Sequence, residues 1–373
     1  MIDMDTIRLF LCGDVMTGRG IDQILTHPSD PVIHEGYLES ALDYVILAEH
    51  VSGAIPRRVQ APYIWGDALA ELGRFRPDLR IVNLETAVTA SDLWVPKGIN
   101  YRMHPANAAC LSAAAIDCCA LANNHVLDWS DAGLIETLET LERAGLRIAG
   151  AGRNRSAAEA PAALPISGRG RVLVIAVGMS SSGVPPEWAA TPERPGVDFL
   201  PDLSPRSIER IARRVEAVKQ GGDVVVLSIH WGANWGYDVA DEERRFARAL
   251  VDSAGVDLVH GHSSHHPKGI EVHRERLILY GCGDFINDYE GIRGHEAYRG
   301  DLGLMYLPTL EAGTGRLLRL EMTATQMKRF QVRRAADADA RWLCAVLDRE
   351  GSRFGTRGVF LPDGRIELRW EPG

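Results

Sequence analysis

Long apolar runs are missing from this sequence. No stretch of its 373 residues approaches the ~20 consecutive apolar residues that a membrane-spanning helix requires. The opening residues, MIDMDTIRLFLCGD, also lack the basic start and long apolar middle of a signal peptide. The better interpretation of this segment is a first buried strand. We therefore expect a protein that acts without a membrane as partner.

Patterned cysteines are also missing. The six cysteines have no regular spacing and mostly lie in apolar runs. A disulfide framework or a zinc ribbon would need paired, patterned spacings. Unpaired, buried cysteines fit a reducing compartment, so a cytoplasmic location is expected.

A basic excess is the third absence. The formal net charge is −9, whereas a protein that binds the phosphate backbone of nucleic acid usually presents a basic face. Nucleic acid is therefore not an expected partner. Hydrophobic residues make up 46% and charged residues 24%, which is typical of a globular protein with a full core.

Short apolar runs recur along the chain and alternate with helical patterns. Near-continuous apolar strands are expected where both faces of a sheet are covered. The runs are IRLFLCGD (7–14), RIVNLE (80–85), CCALANNH (118–125), VVVLSIH (224–230) and VDLVHGH (256–262). Helical periodicity predicts helices over 131–144, 204–219 and 241–254. Strand and helix in alternation predict a layered α/β fold.

The pattern changes near residue 269, and the chain becomes β-rich from there. A late helix over 335–349 and a terminal hairpin in VFLPDGRIELRW are predicted to close it. No internal repeat, low-complexity tract or flexible linker interrupts the sequence. We therefore expect one domain over residues 1–373, with the helix and hairpin in 335–373.

Polar side chains with ligand chemistry follow five of the apolar runs. In α/β sheets, ligands collect outside the carboxyl ends of the strands. Carboxylate, amide and imidazole groups without a thiolate suit Mn²⁺, Fe²⁺, Zn²⁺ or Ca²⁺ better than a structural cysteine site. The sequence predicts one shared metal site from these residues: Asp14, Glu85, Asn124, His230, His260 and His262.

Each of these residues also has a simpler interpretation. Asp14 could cap a helix, Glu85 could be a surface charge, and Asn124 could belong to a turn. His125 or His230 could be an ordinary core histidine. A shared site explains all five strand ends together, whereas the alternatives need a separate reason for each end.

Six motifs in order resemble the CapA family of poly-γ-glutamate capsule proteins. They are GDVMTGRG (13–20), NLET (83–86), NNHVLDW (123–129), HWG (230–232), GHSSHH (261–266) and GDFINDY (283–289), and the similarity covers about residues 7–330. The resemblance implies a calcineurin-like α/β/β/α sandwich, in which two β-sheets are flanked by helices. It also makes Asp14, Glu85, Asn124, His230 and His262 or its neighbours metal ligands and His125 an acid/base group, which Asp128 could orient.

The first motif departs from the phosphoesterases of this fold. They usually carry Asp-x-His, whereas Val15 and Met16 follow Asp14 here. Losing that imidazole weakens one of two metal positions, so one divalent ion is expected, with Ca²⁺ or Mn²⁺ favoured over Zn²⁺. No organic cofactor is expected. Capsule-type members also usually carry an N-terminal membrane anchor, which this sequence does not show.

Several residues are predicted to line the rim of the site. Trp231 follows a predicted ligand and could hold a peptidic substrate or simply pack. The glycine-flanked segment 290–300 follows the last motif and contains Arg293 and His295. His295 could lean over the site as a second acid/base group, oriented by Asp284 or Asp288, or could be merely solvated. The remaining rim candidates are Arg19, for substrate, and His265, for catalysis.

Three functions remain open at this point. The first is a metal-dependent epimerase that acts at the Cα of a peptide, as in the soluble branch of the family that epimerises the C-terminal residue of lasso-peptide precursors. That reaction needs a base near neutral pKa and a group that stabilises the enolate, and a peptide-recognition protein could assist it. The second is a metallo-hydrolase of phosphoesters or amides, and the third is a component of poly-γ-glutamate synthesis.

Overall fold

The apolar runs form the central strands of two β-sheets. The computed structural model describes residues 5–371. The strands are β1 (Thr6–Val15), β2 (Leu79–Leu84), β3 (Ala87–Val88), β4 (Arg102–Met103), β5 (Cys118–Ala120), β6 (Arg147–Ala149), β7 (Ala151–Gly152), β8 (Ala162–Pro165), β9 (Arg171–Gly178), β10 (Gly196–Val197), β11 (Val224–His230), β12 (Leu258–His262), β13 (Ile270–His273), β14 (Arg276–Leu279), β15 (Asp284–Ile286), β16 (Leu302–Glu311), β17 (Leu317–Met327), β18 (Val332–Arg334), β19 (Thr356–Phe360) and β20 (Ile366–Trp370).

The longest helices lie where the periodicity predicts helices. The helices are α1 (Gly20–Ile24), α2 (Ala41–Ser52), α3 (Asp67–Phe75), α4 (Ala109–Ala113), α5 (Ser130–Arg143), α6 (Arg155–Glu159), α7 (Pro205–Val218), α8 (Asp241–Ser253) and α9 (Asp337–Gly351). The four helices predicted near 131, 204, 241 and 335 correspond to α5, α7, α8 and α9, so these predictions are confirmed to within two residues. No helix of the described residues is long and apolar enough to cross a membrane.

The first sheet runs in the order β19-β20-β17-β16-β1-β2-β5-β6, with β15 paired to β1 and β18 to β17. Strands β1, β2, β5 and β6 are parallel, whereas β16, β17, β20 and β19 pair antiparallel. The second sheet runs in the order β13-β14-β12-β11-β9-β8, and its four inner strands are parallel. Two short pairs, β3 with β4 and β7 with β10, complete the pairing within residues 5–371.

The core explains why the strands are apolar on both faces. Successive side chains of a strand point to opposite faces. In β9, Val172 and Val174 belong to the cluster that joins the two sheets, and Leu173 and Ile175 belong to a second cluster with side chains of α7 and α8. Helices α3, α4 and α5 contribute Leu72, Leu111, Leu134 and other side chains to the first cluster. The predicted α/β sandwich, two sheets flanked by helices, is therefore confirmed.

The β-rich part of the chain extends both sheets. Strands β13 and β14 join the second sheet, and β15 to β20 join the first. The predicted terminal helix and hairpin are α9 and the antiparallel pair β19 and β20. The ends of the predicted domain, residues 1–4 and 372–373, lie outside the described residues.

The parallel strands bring the motif residues together. Asp14 is the register partner of Asn83 on β2 and of Asp284 on β15, and His230 is the partner of His262 on β12. Strand β1 runs so close to the Gly283 segment that a Cβ on Gly13 would lie 1.5 Å from the Gly283 carbonyl oxygen. Only glycine fits there, and this contact sets the spacing between the two Gly-Asp motifs.

Candidate metal centre

Three side chains from three strand ends converge into a group with metal-ligand spacing. Asp14, His230 and His262 each offer a ligand atom, and these atoms all lie within 4.8 Å of one another. The Nδ1 atoms of the two histidines are 2.8 Å apart, and His262 Nδ1 is 3.8 Å from Asp14 Oδ1. All three residues are buried. The Ser228 hydroxyl lies 2.7 Å from His262 Nε2, so it fixes which ring nitrogen faces the group.

Asp14 is oriented by two donors that the sequence did not single out. The Asn83 amide donates to Oδ1 at 2.8 Å, and the Ser263 backbone N–H donates to Oδ2 at 3.1 Å. Ser263 has a φ of 100°, a backbone conformation that non-glycine residues rarely adopt and that costs of order 1–3 kcal/mol. The strained turn after β12 therefore aims an N–H at the carboxylate.

Glu85 and Asn124 border this triad. Glu85 Oε1 lies 3.7 Å from His230 Nε2, and Asn124 Oδ1 lies 3.0 Å from the same nitrogen. The other Glu85 oxygen, Oε2, is buried and has no hydrogen-bond partner among residues 5–371. A buried carboxylate oxygen without a donor is costly unless a cation compensates it. This orphaned oxygen and the mixed donor set of the triad fit a divalent metal ion.

The pKa shifts of these residues also fit a divalent metal ion. Burial and, next to it, the nearby Asp284 carboxylate raise the pKa of Asp14 to about 7. Burial and then Asp14 raise the pKa of Glu85 well above its usual range. Burial also lowers the pKa of His230 and of His262, so both imidazoles are neutral and keep a lone pair for a ligand bond. A cation among these carboxylates would reverse their shifts.

The first of two histidine–carboxylate pairs lies beside Glu85. His125 Nδ1 is 2.6 Å from Asp128 Oδ2, and His125 Nε2 is 3.8 Å from Glu85 Oε1. Asp128 also accepts the Tyr101 N–H at 2.6 Å and lies 2.7 Å from Lys97 Nζ. Burial lowers the pKa of His125 to about 4 although Asp128 opposes this shift. His125 is thus a neutral, firmly oriented imidazole whose Nε2 faces the site.

The second pair lies on the β15 side. His265 Nδ1 is 2.9 Å from Asp284 Oδ1, and the Asn287 amide donates to Asp284 Oδ2 at 3.0 Å. Burial opposes the charged form of His265, but the Asp284 carboxylate outweighs burial and raises the pKa of His265. The two pairs therefore shift the pKa of their histidines in opposite directions, down for His125 and up for His265.

His260 is not brought together with the other predicted ligands. Its Nε2 lies 2.7 Å from the Cys12 carbonyl oxygen, and its Nδ1 lies 3.3 Å from the Ser228 hydroxyl. Both ring nitrogens are thus engaged in the core, one step below His262 on the same strand face. His260 ties β12 to β1 and lies beneath the candidate metal centre.

Arg19 and Trp231, predicted to bind substrate, are also packed inside. Arg19 is 3% exposed, and its guanidinium binds Asp288 at 2.5 Å and Glu35 at 3.0 Å. Trp231 lies in the cluster between the second sheet and its helices, and its indole N–H donates to the Tyr280 carbonyl at 2.9 Å. Both residues are buried with their polar groups paired inside the protein, and their role in substrate binding stays a prediction.

His295 and Arg293 lie in an exposed segment at the rim. The His295 ring stacks on Trp235, with the ring centroids 4.1 Å apart, and Trp235 in turn lies 5.2 Å from the ring of His265. Neither Asp284 nor Asp288 orients His295, because Asp284 binds His265 and Asp288 binds Arg19. His295 therefore contacts Trp235, and Trp235 in turn lies next to His265 of the site.

Three residues that orient the site are absent from the residues predicted from the sequence. They are Asn83, Ser263 and Lys97. Asn83 lies inside the NLET motif, and Ser263 lies inside GHSSHH, so their motifs could have drawn attention to them. Lys97 lies in a segment without periodicity, yet its ammonium contacts both Asp128 and the Asn124 carbonyl. No sequence signal identifies such a contact, because it depends on how the loop folds back.

Several known proteins are similar to this chain over half of its length or more. Residues 8–289 match the family described as "Bacterial capsule synthesis protein PGA_cap". A "probable polyglutamine synthesis accessory protein" of Mycobacterium tuberculosis (strain ATCC 25618 / H37Rv) is 44% identical over 366 residues, which cover 98% of this chain and 96% of that protein. The "capsule biosynthesis protein CapA" of Bacillus anthracis is 25% identical over 285 residues, 76% of this chain and 60% of that protein. The "PGA biosynthesis protein CapA" of Bacillus subtilis (strain 168) is 31% identical over 198 residues, 52% and 47% of the two chains.

These matches confirm the resemblance carried by the six motifs. The family match includes every strand end that contributes to the metal centre, from Asp14 to Asp284. The chain belongs to the PGA_cap family of bacterial capsule synthesis proteins, which includes relatives named CapA.

Proposed function

We propose that the chain is a metal-dependent acid–base enzyme that acts on an amide-linked glutamyl polymer as an accessory to its synthesis. The observation that carries this proposal is the triad Asp14, His230 and His262 with a histidine–carboxylate pair on each side. The relative that is 44% identical is named an accessory protein of polyglutamine synthesis, and this name supports the choice of polymer.

Asp14, His230 and His262 would hold one divalent ion. Two imidazoles and a carboxylate suit a transition metal, whereas Ca²⁺ prefers six to eight oxygen ligands. Of the two ions favoured by the sequence, Mn²⁺ therefore fits this donor set better than Ca²⁺. When bound, such an ion polarises a carbonyl oxygen as a Lewis acid.

The residues around the triad move protons. His125 is neutral and held by Asp128, so its Nε2 can accept a proton from a water that attacks the amide carbonyl. The Asp284 carboxylate raises the pKa of His265 and holds its ring, so His265 can donate a proton to the amide nitrogen that leaves. Groups whose surroundings push their pKa values apart are suited to act as base and acid. In the balanced step, water is added across one amide bond, which gives a carboxylate and an amine.

Mass spectrometry of defined oligomers tests this proposal. Oligo-γ-glutamate and oligoglutamine would be incubated in H₂¹⁸O with Mn²⁺-loaded protein and with protein treated with a chelator. We expect shortened chains with one ¹⁸O at each new carboxylate, and only with metal. A metal-loaded protein that leaves every oligomer intact would remove amide hydrolysis from consideration.

A second candidate is epimerisation at the Cα of a peptide. It is favoured by the two histidines that each have their own carboxylate, because proton removal and return need two positioned groups. In D₂O this reaction gives a one-unit mass gain and an inverted stereocentre without a change in chain length. Hydrolysis instead shortens the chain and leaves the stereocentre unchanged. The chain length and the stereochemistry of the product therefore separate the two candidates.

A further inference from the structure

Helix α2 carries large apolar side chains on its outer face as well as on its inner face. On the inner face, Val45 and Ala48 belong to the main apolar cluster, and Tyr44 is fully buried. On the outer face, Leu42 and Ile46 are 40% and 47% exposed. A surface helix usually has polar residues opposite its buried stripe, whereas a helix that is apolar on all sides is normally covered on all sides. The composition of α2 therefore indicates that a further surface covers its outer face.

The segment before α2 extends this exposed apolar surface. Val32 forms a β-bridge with Ser40 at the start of the helix, and the Tyr37 hydroxyl lies 3.0 Å from the Tyr44 hydroxyl. Val32 is 52% exposed and Tyr37 is 64% exposed. Exposed apolar side chains that lie singly are normal, whereas adjacent ones mark interaction sites. We call the group the α2 face, and it consists of Val32, Tyr37, Leu42 and Ile46.

The N-terminal end of the α2 face is acidic. Glu39 directly precedes the N-cap residue of the helix, and Asp43 lies in the first turn. Within residues 5–371, no ion pair joins either carboxylate to a cation. Both negative charges are therefore available to a partner.

The C-terminal end of α2 is basic. Arg57 pairs with Glu49 there at 2.9 Å, and the Arg329 guanidinium donates to the Ser52 carbonyl oxygen at 2.9 Å. The Glu290 carboxylate at this end accepts from the Ser52 hydroxyl and from two backbone N–H groups. Four exposed cations thus outnumber two acids, and these cations are Arg57, Arg58, Lys328 and Arg329.

We propose that the α2 face pairs with the same face of a second copy of the chain, antiparallel about a two-fold axis. This arrangement brings the acidic end of each helix beside the basic end of the other, and the symmetry makes each contact twice. The two helix dipoles then run in opposite directions, which is also favourable. The charge pattern is complementary to itself and so selects a second copy. An anionic membrane surface would instead repel Glu39 and Asp43.

Analytical ultracentrifugation of the full chain over a range of protein concentrations tests this proposal. We expect a monomer–dimer equilibrium whose Kd rises with salt, because exposed charges are screened. Ile46→Glu should raise the dimer Kd by about 100-fold, since the symmetry places the new charge in the apolar contact twice. Leu318→Glu alters an exposed leucine of β17 and should leave the Kd unchanged. Circular dichroism checks that both variants keep the helix content of the unmodified protein.

The charge pattern is tested separately with Glu39→Lys/Asp43→Lys. This variant places cations opposite cations and should raise the dimer Kd by about tenfold or more. Its control is Glu209→Lys/Glu216→Lys, which makes the same change in net charge at exposed positions of α7. The control should dimerise as the unmodified protein does.

A protein that is monomeric at every concentration overturns the proposal, and so does a dimer that either the Ile46 variant or the Glu39/Asp43 variant leaves intact. Sedimentation with vesicles of phosphatidylcholine and phosphatidylglycerol examines the other occupant. A monomer that binds these vesicles, and no longer binds them as Ile46→Glu, would assign the α2 face to a membrane surface instead. These measurements need neither metal nor turnover, so their outcome is independent of the proposed function.

Discussion

The Nδ1 atoms of His230 and His262 lie 2.8 Å apart because the two residues are register partners on the parallel strands β11 and β12. Two buried neutral imidazoles at this distance either form one N–H···N hydrogen bond or hold a cation between them. Burial lowers the pKa of both rings, which disfavours an added proton. With Asp14 as third neighbour, the strand register itself produces the metal-ligand spacing.

Metal content is the first expectation from this geometry. The purified protein should bind about one equivalent of Mn²⁺, and His262→Gln should lose most of it because one of three ligands is removed. Metal at 100 times its Kd should add about 2.7 kcal/mol to the free energy of unfolding. Elemental analysis and denaturant unfolding with Mn²⁺, Zn²⁺ or Ca²⁺ measure both quantities.

The matched control is His273→Gln. His273 lies at the end of β13 and pairs with Asp252 at 2.9 Å, outside the metal centre. The His273→Gln variant should keep the full metal content of the unmodified protein. Equal metal in the His262 variant and in this control would refute the triad as the binding site.

His125 should matter for turnover and not for metal. Its Nε2 faces Glu85 and its Nδ1 is held by Asp128, which is the arrangement of a positioned base. Positioned acid/base groups contribute about 10²–10⁴-fold, so His125→Gln should lower kcat by about 10²-fold or more. Steady-state kinetics and elemental analysis on the same preparation check this. A variant that loses its metal instead would show that His125 supports the ligands.

Much of this site could be predicted from strand ends alone. Parallel strands deliver their carboxyl ends to one edge, so Asp14, Glu85 and Asn124 had to lie close together in the first sheet, and His230 and His262 in the second, once the runs were recognised. The alternation of side chains along a strand also explains why Trp231 packs in the core. His230 and Trp231 are neighbours in an extended segment, so their side chains point to opposite faces and only one can reach the site.

Other features depend on contacts between distant segments, which periodicity does not encode. His260 and His262 share a strand face, and only the approach of the Cys12 carbonyl decides which one is engaged in the core. The sequence predicts that Arg19 binds substrate, but it does not show which carboxylates Arg19 pairs with. Its partners Glu35 and Asp288 lie 16 and 269 positions away.

Phosphatase activity should be negligible in this protein. The side chain two positions after Asp14 is the buried thioether of Met16, where phosphoesterases of this fold carry an imidazole. A thioether is a poor ligand for the hard ions that drive two-metal hydrolysis. Turnover of an aryl phosphate with Mn²⁺ should therefore stay at the level of a Glu85→Ala variant. Robust turnover that this substitution abolishes would favour a phosphoesterase.

Arg19 should be important for stability. Its guanidinium pairs with two buried carboxylates and stacks on the rings of Tyr44 and Tyr101. Arg19→Ala leaves both carboxylates without their cation, and breaking a buried pair in this way typically costs about 3–5 kcal/mol. Denaturant unfolding measures the loss. Arg206→Ala, at an exposed position of α7, should stay within about 0.5 kcal/mol. Equal stability of the two variants would contradict the buried network.

His265 and His295 separate catalysis from binding at the rim. Asp284 holds His265 at 2.9 Å, whereas His295 has Trp235 as its stacking partner and is exposed. His265→Asn should therefore lower kcat by about 10²-fold or more, as expected for a positioned acid. His295→Asn should chiefly raise KM, because it removes an exposed ring that stacks on Trp235 at the rim of the site. Neither substitution should change the metal content, since neither ring belongs to the triad. Saturation kinetics of both variants with the same oligomer decide the matter. A kcat loss of 10²-fold or more in His295→Asn with an unchanged KM would make His295 the second acid/base group and leave His265 as its support.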